Sequence, residues 1–103
     1  MRGKSLEQAA VLVVDDDPVI AELYSATLIQ AGATVATASR ISEARQLLLK
    51  GFAPDVALID LELPDGNGAE FVGELAIKPS PPFTIVITGH ASAEAAAACL
   101  RAG

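Results

Sequence analysis

Two short apolar runs, each ending on aspartate, constrain this chain more than any other feature. Ala9 to Val14 is uninterruptedly apolar and stops against Asp15, Asp16 and Asp17; Val56 to Ile59 repeats the pattern and ends on Asp60. A short continuous apolar run bounded by charge suits a strand covered on both faces, as in a parallel sheet. Between and after these runs the period changes. Asp17 can cap a helix with Pro18 in its first turn, and Ile20, Leu23, Tyr24, Thr27, Leu28 and Ala31 recur at helical spacing up to Gly32. Thr34 to Ala38 reads as a weaker strand. Ser39 or Ser42 then caps a helix that buries Ala44, Leu47 and Leu48 and stops at Gly51.

After Asp60 the segment from Pro64 to Gly68 is rich in turn residues, and Ala69 to Ile77 reads as a helix burying Phe71, Val72 and Leu75. Pro79, Pro81 and Pro82 break the chain before a fourth strand, Phe83 to Ile87, and Ser92 can cap an alanine-rich last helix. Strands alternating with helices imply a doubly wound α/β domain, with a parallel sheet, right-handed crossovers and helices on both faces. Its ligand site is expected outside the carboxyl ends of the strands, where strand order reverses.

That rule selects the aspartates. Asp15 and Asp16 close the first strand and Asp60 the third, and residues 15–18 and 60–68 contain no lysine or arginine. Crowded carboxylates either raise one another's pKa or bind a cation, and an oxygen-only donor set suits Mg2+, with calcium or manganese as substitutes. Such a metal would also neutralise the repulsion between an attacking aspartate and a phosphoryl group. Asp17 is assigned to capping alone. Thr88 ends the fourth strand at the same edge, where its hydroxyl either bonds a phosphoryl oxygen or is simply that of a β-branched strand residue. Gly89 leaves room for a phosphoryl group or makes a turn, and His90 is expected to be a solvated loop residue.

Composition excludes other classes. With net charge −6 the domain should repel nucleic acid and anionic membranes. No apolar run reaches the length of a spanning helix, and Cys99, the single cysteine, reads as a small apolar side chain in a reducing, cytoplasmic setting. Neither a Gly-rich dinucleotide fingerprint nor a Walker loop follows any strand.

In combination, Val13-Val14-Asp15-Asp16-Asp17, Asp60-Leu61-Glu62-Leu63-Pro64-Asp65-Gly66-Asn67-Gly68 and Ile87-Thr88-Gly89-His90-Ala91 resemble the receiver domain of two-component response regulators. The likeness runs through nearly the whole chain, so residues 1–103 are expected to form one receiver domain. The resemblance implies a flavodoxin-like, chemotaxis-receiver-like sheet of order 2-1-3-4. Asp60 would accept phosphate from a sensor histidine kinase or phosphotransfer protein. Asp16 would bind Mg2+ directly, Asp15 mainly through water, and the backbone carbonyl of Glu62 would supply another ligand. Thr88 would be the switch hydroxyl. The chain would catalyse only its own phosphoryl transfer and dephosphorylation, and would switch an output domain or partner; a DNA-binding output is hinted at by the likeness of residues 87–91 to nitrogen-regulation-type activators.

The family's fifth strand, fifth helix and phosphate-binding lysine have no counterpart here, so the domain is expected to be C-terminally incomplete, and the exposed fourth strand to favour a homodimer. Two rival readings are a degenerate receiver acting as a phosphorylation-independent interaction module and an aspartyl-phosphate phosphohydrolase using Asp60 and Glu62.

Overall fold

A computed structural model describes residues 7–87. Four parallel strands form its sheet: β1 (Ala10–Val14), β2 (Thr34–Ala38), β3 (Val56–Asp60) and, last among the described residues, β6 (Phe83–Ile87), in the order β2-β1-β3-β6. This is the expected 2-1-3-4 order. The expected last helix, with Thr88, Gly89, His90 and Cys99, lies outside the described residues.

The two central strands are buried on both faces, and their pleat divides the core. Leu12, Val14, Ala57 and Ile59 point to one side, where they meet Phe71 and Leu75 of α3 (Gly68–Ala76) and Ile41 and Ala44 of α2 (Ile41–Leu49). Val11, Val13 and Leu58 point to the other, where Ala21, Tyr24 and Leu28 of α1 (Pro18–Gln30) pack against them. The apolar stretches of these strands, Val11 to Val14 and Ala57 to Ile59, are therefore sandwiched between helix layers. Each large side chain so buried contributes about 1.5–3 kcal/mol.

The register aligns the carboxyl ends. Val14 pairs with Ala38 on one side and Ile59 on the other, while Asp60 pairs with Ile87. The residue after Val14 is Asp15, so Asp15 and Asp60 emerge side by side at the same edge. At the opposite end Asp55 stitches the sheet: its carboxylate accepts from the Ala10 N–H at 2.9 Å, and its carbonyl accepts from the Phe83 N–H at 2.9 Å.

Three expectations need correction. In α1, Leu23 is 61% exposed and Thr27 and Ala31 are also exposed; the inward face is Ala21, Tyr24 and Leu28, with Ile20 half-buried. Val19, Ile20, Leu23, Leu28 and Ile29 distribute apolar groups around the helix, so spacing alone does not select one stripe. Neither Ser39 nor Ser42 caps α2 with its side chain. Arg40 occupies the cap position without a side-chain bond, and the first amides are taken by Asp65. Finally, the turn-rich segment contains a small antiparallel hairpin, β4 (Glu62–Leu63) with β5 (Gly66–Asn67), which is too short to show an alternating pattern.

Candidate functional site

The β1–α1 junction places the first two carboxylates. Asp17 adopts extended backbone at the N-cap of α1, and its Oδ1 accepts from the Val19 N–H at 2.9 Å and the Ile20 N–H at 3.4 Å, with Pro18 filling the first turn, where no amide is needed. Capping thus occupies Asp17. Asp15 turns inward and is buried, its Oδ1 accepting from the Asp17 N–H at 2.9 Å, while Asp16 is exposed.

Asp60 ends β3 and is buried at 8% exposure. Its Oδ1 accepts from the Glu62 N–H at 3.1 Å, and the Leu61 N–H donates to the Ile87 carbonyl at 3.0 Å, fixing the start of the following loop against β6. Close packing completes the arrangement. The Gly68 N–H donates to the Leu61 carbonyl at 2.9 Å, and a Cβ on Gly68 would lie 2.1 Å from the Asp60 carbonyl oxygen. Only glycine lets α3 start this near the end of β3.

Asp15, Asp16 and Asp60 each offer a carboxylate oxygen, and these atoms lie within 4.8 Å of one another. Burial pushes the Asp60 carboxyl above the usual range; the Glu62 amide opposes this, and the charges of Asp16 and Glu62 add to it. Asp15 is raised in the same way, by burial first, against the Asp17 amide, with Asp60, Asp16 and Asp17 adding repulsion. The charges acting most strongly on both groups are acidic. This is an electrostatic deficit that a hard, oxygen-seeking divalent cation relieves, so the donor set fits Mg2+. Burial, with the Asp15 charge behind it, also raises the pKa of Tyr24 on α1. A cavity of about 390 Å³ opens beside the cluster, bounded by Asp15, Asp16, Glu22 and Ser25 on one side and Thr37 and Ser39 on the other.

The three aspartates expected to meet do so. Glu62 lies next to them in β4, its side chain exposed and its amide bound to Asp60. Thr88 lies outside the described residues. Sequence reading missed Asp65 and Asn67: Asn67 caps α3 by accepting from the Ala69 N–H at 2.7 Å, which an Asn one residue before a helix could have signalled.

The chain matches the response regulator receiver domain family over residues 11–103. It is 37% identical over 98 residues to a protein-glutamate methylesterase/protein-glutamine glutaminase of Agrobacterium fabrum, covering 92% of this chain and 28% of that protein. It is 34% identical to the probable transcriptional regulatory protein TcrX of Mycobacterium tuberculosis, covering all of this chain and 44% of that one. It thus spans less than half the length of either relative. Among solved structures, a response regulator receiver domain protein (CheY-like) from Methanospirillum hungatei JF-1 superposes with a TM-score of 0.73 at 30% identity, over 94% of this chain and 77% of that one. These matches favour neither the interaction-only module nor the phosphohydrolase. Among the described residues, no helix is long and apolar enough to cross a membrane.

Proposed function

This chain belongs to the response regulator receiver domain family of two-component signalling, and from that premise we propose that Asp60 is its phosphoacceptor, working with Mg2+ held by Asp15, Asp16, Asp60 and the Glu62 backbone carbonyl. The observation that carries this reading is the meeting of three carboxylates within 4.8 Å, with Asp60 buried at the strand end. When bound, Mg2+ neutralises this cluster and offsets the charge of an incoming phosphoryl group.

One Asp60 oxygen attacks phosphorus in line while the bond from phosphorus to the donor's leaving atom breaks, the electron pair departing with that atom. The Glu62 amide on Oδ1 fixes the carboxylate's rotation and leaves the other oxygen for attack. The donors are a sensor histidine kinase or phosphotransfer protein, and hydrolysis of the acyl phosphate resets the site. Thr88 follows the phosphoryl group with its hydroxyl, and the change is passed to an output domain or partner. In this reading the domain catalyses only its own phosphoryl transfer and dephosphorylation.

The test is intact mass after incubation with acetyl phosphate, with Mg2+ or with chelator, for the wild type and Asp60→Asn. A single phosphoryl adduct requiring both Mg2+ and Asp60 is expected. An adduct of equal yield in Asp60→Asn would overturn the assignment.

A further inference from the structure

Helix α2 begins without a cap of its own. Its first free amides, those of Ile41 and Ser42, donate to the two oxygens of Asp65 at 2.9 and 3.0 Å, and Asp65 is 24 and 23 residues away in sequence. Asp65 lies between β4 and β5, at the tip of the hairpin that begins two residues after Asp60. Two-residue strands do not hold a hairpin in place by their own ladder. Its fixed points come from elsewhere: Leu63 is buried in the core, Gly66 approaches the Ile41 side chain, and the Asp65 carboxylate bridges to the start of α2. Helix α2 is itself tied to α3 by the forked contact of Arg45 with Glu74. The loop bearing the Glu62 amide and carbonyl is therefore suspended between two helices, and Asp65 is its polar anchor to one of them.

We propose that Asp65 is a positioning residue for the phosphoryl-accepting site, holding residues 61–67 so that the Glu62 amide stays on Asp60 and the Glu62 carbonyl faces the cation. The inference rests on the reading of Asp60 and Mg2+ given above. Groups that orient ligands without touching the metal typically change its affinity by about 10–100-fold when removed. Asp65 touches neither Asp60 nor the proposed ligands, so its effect runs through the loop.

The experiment measures the phosphorylation rate of the full chain by acetyl phosphate as a function of Mg2+ concentration, at a temperature where every variant is folded by circular dichroism. Asp65→Ala is expected to raise the Mg2+ concentration for half-maximal rate by about tenfold. Asp65→Asn keeps one acceptor oxygen and should recover part of that loss, and it serves if the alanine variant does not fold. Glu43→Ala removes the bonds that Glu43 accepts from the Ser39 N–H and hydroxyl, 2.8 and 2.9 Å, weakening the same helix end without touching the loop; its half-saturation should match the wild type. A merely structural Asp65 would lower the melting temperature and leave half-saturation unchanged, which overturns the proposal. Equal shifts in Asp65→Ala and Glu43→Ala would overturn it too. A wild-type chain that takes no phosphoryl group overturns the functional reading as well, so the two failures are distinct.

Discussion

Replacing Gly68 by alanine puts a methyl carbon 2.1 Å from the Asp60 carbonyl oxygen and 3.0 Å from both the Asp60 carbonyl carbon and the Leu61 Cα. A carbon needs about 3.3 Å from such an oxygen, so the start of α3 must retreat from the end of β3 by roughly 1 Å. All three atoms are backbone, and no side-chain rotation relieves the clash. Retreat also stretches the 2.9 Å bond from the Gly68 N–H to the Leu61 carbonyl. Overpacking of this kind costs about 1–3 kcal/mol, against a helix-propensity gain of at most about 1 kcal/mol for alanine over glycine. Because only backbone meets the added methyl, the upper part of that cost applies, about 2–3 kcal/mol; less the propensity gain, the expected net loss is about 1–2 kcal/mol, or a fall of roughly 4–15 °C in melting temperature for a domain of this size. Urea and thermal unfolding in chelator measure that loss. Because the displaced backbone belongs to Asp60 and Leu61, the Mg2+ concentration needed for half-maximal phosphorylation should rise as well. A Gly68→Ala chain as stable as the wild type, with unchanged Mg2+ half-saturation, would refute the claim that close backbone approach sets this end of the site.

Phe71 is fully buried between α3 and the sheet, and Phe71→Ala should cost about 3–5 kcal/mol in urea unfolding; a loss below about 1 kcal/mol would mean that α3 is not seated there. Asp65 is held below the usual carboxylate range by the Ile41 amide and then the Ser42 amide, and Glu43 by the Ser39 amide and hydroxyl. Below about pH 4 the unfolded chain therefore takes up protons that the native chain refuses, so their stabilisation is present above that range and lost as pH falls through the native values. Subtracting the melting curves of Asp65→Asn plus Glu43→Gln from those of the wild type isolates this contribution; a difference that does not shrink on acidification contradicts it. Asp15→Asn keeps an acceptor for the Asp17 amide and removes a buried carboxyl whose pKa burial pushes up, so the variant should melt higher than the wild type in chelator and gain less on adding Mg2+.

Much of this was legible because the central strands carry no compromise. Val11 to Val14 and Ala57 to Ile59 are buried, and an apolar run ending on an acid marks both the strand and its functional end. The convergence of Asp15, Asp16 and Asp60 followed from topology, since adjacent parallel strands share one carboxyl edge. The inward face of α1 was not legible, because Val19, Leu23 and Ile29 are as apolar as Tyr24 and Leu28 yet point outward. The cap of α2 was hidden for another reason: its acceptor comes from Asp65, through tertiary contact, where local signals reach only a few residues. The β4–β5 hairpin is too short to carry a period at all.

The central claim is that Asp60, rather than its neighbours, takes the phosphoryl group. Tandem mass spectrometry of peptides from the acetyl phosphate-treated, Mg2+-loaded chain, after reduction of the acyl phosphate to trap its position, tests it most directly. The modification should fall on Asp60 alone and vanish in chelator. Modification at Asp15 or Asp16, or modification of Asp60 that persists without Mg2+, would contradict the account.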